Sequence, residues 1–166
     1  MQYDIHPIIV HFPIALLVLY SIIKIVPFSR WFPRVAWKDI ERVLLAVGLL
    51  GAYAAIMTGE NARSLNLPPN DLVEWHRTFA RLSTWLYGAL LIGEVSAIAN
   101  ARLVLQPNAV VKFLERIFNH KVFSRLIAAA ALVSITVTGM LGGAMVFGPT
   151  ADPLAGLVLR LLGISL

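Results

Sequence analysis

Apolar residues run almost unbroken through four stretches of this chain. The first covers Ile8 to Val26 and is interrupted by His11, Ser21 and Lys24. The second covers Ile40 to Thr58, strictly apolar from Val43 to Met57. The third covers Leu72 to Ala99 and includes Glu94, and the fourth, Leu126 to Phe147, contains no charged residue. A helix needs about 20 apolar residues to cross a hydrocarbon layer roughly 30 Å thick, so each stretch predicts a membrane-spanning helix. Continuous runs of this kind exclude a β-barrel, whose strands are short and alternate apolar with polar positions.

Two further segments have a different pattern. Asn108 to His120 places Val110, Phe113, Leu114, Ile117 and Phe118 on one helical face and Lys112, Glu115, Arg116 and Asn119 on the other. That division predicts an amphipathic helix lying on the membrane surface. The segment 153–166 is too short to span and is expected to lie along the opposite interface or to pack on the bundle. The expected fold is all-α: one integral membrane domain over residues 1–166, a four-transmembrane-helix bundle with an interfacial helix and a short C-terminal helix.

Composition agrees with a bilayer environment and adds orientation. Hydrophobic residues make up 58% of the 166 residues and charged residues only 14%, against about 25% charged in soluble domains. Cysteine is absent, which removes disulfides, thiolate nucleophiles and Cys-based metal sites. The net charge of +5 is a matter of topology here, not of nucleic-acid binding. Ten of the 14 basic residues fall in the connections after the first span (Lys24, Arg30, Arg34, Lys38, Arg42) and before the fourth (Arg102, Lys112, Arg116, Lys121, Arg125). The positive-inside rule makes that side cytoplasmic and both termini periplasmic, in a bacterial inner membrane. The first run is long enough to remain as a span and lacks a basic leader, so no cleaved signal peptide is expected.

The two helical hairpins resemble each other, which suggests parallel repeats about an axis along the membrane normal. The first opens His11-Phe-Pro-Ile-Ala15-Leu-Leu17 and exits at Met57-Thr58-Gly59; the second opens His76-Arg-Thr-Phe-Ala80-Arg-Leu82 and exits at Thr138-Gly139-Met140. In this alignment His11 and His76 lie at equal depth and face one another across the bundle. Facing imidazoles suit a metal, and b-type haem in particular takes axial histidines from bundle helices. Gly59, Gly139, Gly142 and Gly143 would make room for a macrocycle, and Arg63, Arg77 and Arg81 at the rim could pair with its propionates. Small residues also serve simply to pack membrane helices closely. His6 precedes Pro7, reads as an N-cap, and is a candidate alternative ligand; His120, at the other end, reads as structural. Pro13 is expected to kink the first helix beside His11. Glu94 within a span needs a partner, with Lys24 and Arg125 the candidates.

The run His6-Pro-Ile-Ile-Val-His-Phe-Pro-Ile14 is similar to the signature of a bacterial family of membrane proteins, the domain-of-unknown-function family numbered 2231. Thr58-Gly59, a histidine opening the third helix and Gly142-Gly143 in the fourth fit the same family. Many members follow the double glycine with Leu-Val-Tyr-x-His-Gly, where this chain has Ala144-Met-Val-Phe147-Gly and no histidine. The resemblance implies that His6 and His11 matter together and carries no activity with it.

The expected function is therefore that of a small b-type cytochrome, with haem b between His11 and His76, exchanging electrons with a redox partner or quinone. A second reading is a divalent-metal binding or transport subunit using His6, His11 and His76 with Glu60, Glu74 or Asp71. A third is a cofactor-free scaffold, a homo-oligomer or part of a larger membrane complex. No nucleophile–base pair, phosphate loop or catalytic carboxylate pair stands out, so no enzyme is expected.

Overall fold

The computed structural model describes residues 5–62, 70–102, 108–150 and 153–164, with only the backbone described at 61, 62, 70 and 102. Among the described residues the chain is all-helical. Its elements are α1 (His6–Ile25), α2 (Phe28–Trp31), α3 (Trp37–Ala62), α4 (Asn70–Arg102), α5 (Ala109–Phe118), α6 (Lys121–Phe147) and α7 (Ala155–Leu161). Four of these, α1, α3, α4 and α6, are long and apolar enough to cross a membrane. At 1.5 Å per residue the 20 residues of α1 span about 30 Å, whereas the 33 of α4 span about 50 Å and so project beyond the hydrocarbon layer.

The long helices pack in a ring, α1 on α3, α3 on α4, α4 on α6 and α6 on α1, so that α1 faces α4 diagonally. All four contribute to a central core of Leu17, Tyr20, Leu45, Leu49, Tyr87, Leu90, Ala128, Ala131 and Ile135. Within it the Tyr87 hydroxyl meets Ser21 Oγ at 2.8 Å and donates to the Leu17 carbonyl, so a buried phenol is satisfied across the α1/α4 diagonal. The outward faces stay apolar, as lipid contact requires: Leu50, Met57, Trp85, Leu126 and Val133 are all exposed.

The helix pattern also settles smaller matters. α1 begins at His6, with Ile5 as its N-cap and Pro7 in the first turn, where proline costs no hydrogen bond. The helix runs through Pro13, which is buried against Gly51: a Cβ on that glycine would lie 3.2 Å from the proline Cβ. The short α2 was not expected. It is held by aromatic contacts, Phe28 stacking on Trp37 with centroids 5.4 Å apart and Trp37 Nε1 donating to the Phe32 carbonyl. α5 is capped by the Asn108 side chain, which accepts from the Val110 amide. Its Leu114, Ile117 and Phe118 turn toward the bundle, while Val110, Phe113, Lys112 and Arg116 are exposed. α7 packs on the bundle rather than lying free: Leu159 and Ile164 join Leu72, Leu141 and Ala144 in a second core at the opposite end from α5.

At the α5 end the Glu94 carboxylate is buried among three cations. Lys38 Nζ lies 3.1 Å, Arg42 Nε 3.1 Å and Lys24 Nζ 3.6 Å from its oxygens. Lys24 also pairs with Glu41 at 2.9 Å. Lys24 was an expected partner and Arg125 was not confirmed as one: Arg125 Nε donates instead to the Lys24 carbonyl. Lys38 and Arg42 stand in the first turns of α3, where the charge pattern had counted them with the preceding connection.

Candidate functional site

Three histidines stand at the end of the bundle opposite Glu94, and their orientations differ. His6, the first residue of α1, is half-buried against α3, with its Nδ1 3.0 Å from Thr58 Oγ1. The Thr58 hydroxyl also lies 3.1 Å from the Ala54 and Ala55 carbonyls; when its single proton goes to either of them, His6 Nδ1–H is the donor to Thr58. His76, in the second turn of α4, sends its Nδ1–H to the Thr138 carbonyl of α6 at 3.0 Å. A carbonyl only accepts, so the neutral His76 ring carries its lone pair on Nε2.

Each ring rests on a glycine of the helix it reaches. A Cβ on Gly59 would lie 3.0 Å from His6 Cε1, and one on Gly142 would lie 3.3 Å from His76 Cε1. The two rings belong to helices that face each other diagonally across the bundle. His11 is placed differently. It is exposed, with its Nδ1–H donated to the Pro7 carbonyl of its own helix. It shares its stripe with Ala15, Leu19 and Ile22, all exposed, so this face of α1 looks away from the bundle. The structure thus turns His6, and not His11, in toward the bundle.

The remaining expected site residues divide similarly. Arg77 is engaged by two carboxylates, with Nη2 2.7 Å from Glu60 and Nη1 3.1 Å from Glu74, while Arg81 Nη2 lies 3.4 Å from Glu60. Arg63 lies outside the described residues. Gly59 and Gly142 seat imidazoles, Gly139 is exposed with open space beside it, and Gly143 is half-buried. Asp71 is exposed, and no group of three or more His, Asp or Glu arranged for a metal occurs among the described residues.

Thr58 and Thr138 orient the two imidazoles, a role not read from the sequence. The Thr-Gly pairs at the hairpin exits were the available signal; they contain both threonines, but the glycine under His76 is Gly142 and not Gly139. No protein family, curated protein or solved structure matches this chain.

Proposed function

We propose that this chain is a membrane protein that binds a transition-metal ion at its histidine end, with His6 and His76 as the imidazole ligands. The observation that carries the reading is the matched setting of these two rings. Each sits on the first helix of a hairpin, hydrogen-bonds through Nδ1 to a threonine of the second, His6 to the Thr58 hydroxyl and His76 to the Thr138 carbonyl, and lies over a glycine there. An imidazole anchored through Nδ1 presents Nε2 to an ion, the usual arrangement for histidine ligands, and imidazole suits Zn and Cu. Two ligands from the chain leave positions for water, cargo or a redox partner, which suits exchange or electron transfer better than a structural lock.

Burial supports a repeat in a register that makes these two histidines equivalent. His6, Pro13, Leu17, Tyr20 and Lys24 on α1 have the same spacing as His76, Ser83, Tyr87, Leu90 and Glu94 on α4, and both sets face inward. On the second helices Leu45, Gly48, Ala52, Ala55 and Gly59 match Ala128, Ala131, Ile135, Thr138 and Gly142 in the same way. The alignment of His11 with His76 has no such agreement, because it sets an exposed position against an inward one.

The haem reading asks more of this bundle. Axial ligation by His11 would require α1 to turn until Leu17, Tyr20 and Ser21 faced lipid, which dismantles the central core and the Ser21–Tyr87 contact. A macrocycle on His6 and His76 would have to lift both rings from their glycines and draw Arg77 from Glu60. A bare ion requires neither change.

The purified protein titrated with Co(II), Cu(II) and Zn(II) tests the reading. About one ion per chain is expected, with a visible Co(II) band from imidazole coordination. His6→Ala and His76→Ala should each lose it, and His11→Ala should keep it. A Soret band in protein produced with a haem supply would restore the cytochrome reading. Failure of the wild type to bind any of these ions, without a Soret band, would leave the scaffold.

A further inference from the structure

At the histidine end one arginine bridges two carboxylates. Arg77 of α4 reaches Glu60 of α3 through Nη2 at 2.7 Å and Glu74 of its own helix through Nη1 at 3.1 Å. Arg81, one turn further along α4, approaches Glu60 at 3.4 Å. Glu60 directly follows Gly59, the glycine under the His6 ring, and Arg77 directly follows His76. The bridge therefore ties α3 to α4 at the level of both imidazoles.

Among the described carboxylates at this end, Glu60 is the one placed to reach an ion on the histidines. Glu74 stands two residues before His76, about 200° around the same helix, and Asp71 stands five before, about 140° around, so both point away from that ring. Glu60 is on another helix, beside the seat of His6. Both arginines bind its Oε1, and its Oε2 makes no hydrogen bond or ion pair. While the arginines hold it, no group of three histidine or carboxylate side chains among the described residues is arranged for a metal. Glu60 must leave Arg77 to become a ligand. Arg77 can release it without being stranded, because Glu74 remains on its other nitrogen.

We propose that Glu60 is a third, exchangeable ligand of the histidine site and that Arg77 is the latch that withholds it. This rests on His6 and His76 holding the ion as proposed above. The imidazoles take the ion with the bridge still closed; Glu60 then moves from Arg77 to the ion, and Arg77 falls back on Glu74. Loss of the ion closes the bridge again. A dication and a guanidinium thus compete for one carboxylate, and the positive charges of Arg77 and Arg81 weaken the site. An ion held this way is one to be delivered and released, not a structural one.

Co(II) titration of the purified protein, followed by its visible band with Zn(II) as competitor, tests the latch. Glu60→Gln should weaken Co(II) binding about ten-fold and change the band, because an anionic oxygen donor is lost. Arg77→Gln should tighten binding by about three-fold or more, a gain that a merely structural salt bridge would not give. The double variant should bind like Glu60→Gln alone, since the latch acts only through that carboxylate. If Arg77→Gln fails to fold, Arg81→Gln, on a side chain 57% exposed, should tighten binding by a smaller factor. Weaker or unchanged binding in the arginine variants, or a Glu60→Gln that binds like the wild type, would overturn the latch and leave the histidine site standing, provided His6→Ala and His76→Ala still lose the ion. A wild type that binds neither Co(II) nor Zn(II) would overturn the histidine site and the latch together.

Discussion

Gly93 shows how much one missing side chain can decide. A Cβ at that position would stand 2.6 Å from the Phe118 Cβ and 3.3 Å from the Phe118 carbonyl carbon. The obstructing atoms are a helix end and its backbone, not the tip of a flexible chain, so they cannot move aside singly. The Gly93 carbonyl also accepts from Asn119 Nδ2 at 2.9 Å, and Asn100 hydrogen-bonds Glu115 nearby, so the close approach is what docks α5. Gly93→Ala is expected to lift α5 from α4 and to cost about 1–3 kcal/mol, the range for overpacking a fitted contact. A proteolysis assay in detergent should then show faster cleavage around residues 108–120, with the four long helices retained by circular dichroism. Unchanged cleavage would mean that the surface helix is held elsewhere. At the same scale the two histidines are set by what each one meets: His6 by Thr58 and Gly59, His76 by Thr138 and Gly142.

At the scale of elements, α3 is tied to its neighbours at the basic end chiefly through Glu94. This carboxylate is 2% exposed and is reached from α1 by Lys24 and from α3 by Lys38 and Arg42. Removing the charge leaves three cations facing one another near the membrane, with only Glu41 and Asp39 to balance them. Breaking a buried pair on one side costs roughly 3–5 kcal/mol, and the half-exposure of Lys38 places Glu94→Gln toward the lower end, about 3 kcal/mol. Lys38→Gln, on a side chain 55% exposed, should cost below about 1 kcal/mol. Unfolding of the two variants in mixed micelles compares them, and equal losses would show that the cluster does not act through the buried carboxylate. The apolar runs made these elements legible, since a span must be long and continuous wherever it sits. The rotation of each helix about its own axis was not legible. A helix in lipid is apolar on its inner and outer faces alike, so α1 carries little asymmetry to say that Leu17 and Tyr20 point inward while His11, Ala15 and Leu19 point out. That is why the sequence did not show which histidine of its HPxxVH run turns toward the bundle, and why Lys38 and Arg42 were missed beside Glu94.

For the whole molecule, the contacts sort the ends of the long helices into two groups. Lys24, Lys38, Arg42, Glu94 and Arg125 meet at one end, and His6, Thr58, Glu60, His76, Arg77 and Thr138 at the other. The first group lies with Arg30, Arg34, Lys112, Arg116 and Lys121 in the connections, so the basic residues are concentrated on one side of the bundle, as the charge pattern required. The positive-inside rule predicts that these basic connections stay in the cytoplasm and that the histidine end, with the proposed metal, lies on the far side. Because the chain has no cysteine, each introduced thiol is the sole reporter of its side. Arg34, Lys112 and Thr150 are exposed and lie in the connections or at helix surfaces, so substitution there spares the core. In intact cells a membrane-impermeant maleimide should label Thr150→Cys, while Arg34→Cys and Lys112→Cys should react only after the membrane is opened. Labelling of Arg34→Cys in intact cells would invert the bundle and would move the proposed metal site to the cytoplasm with it.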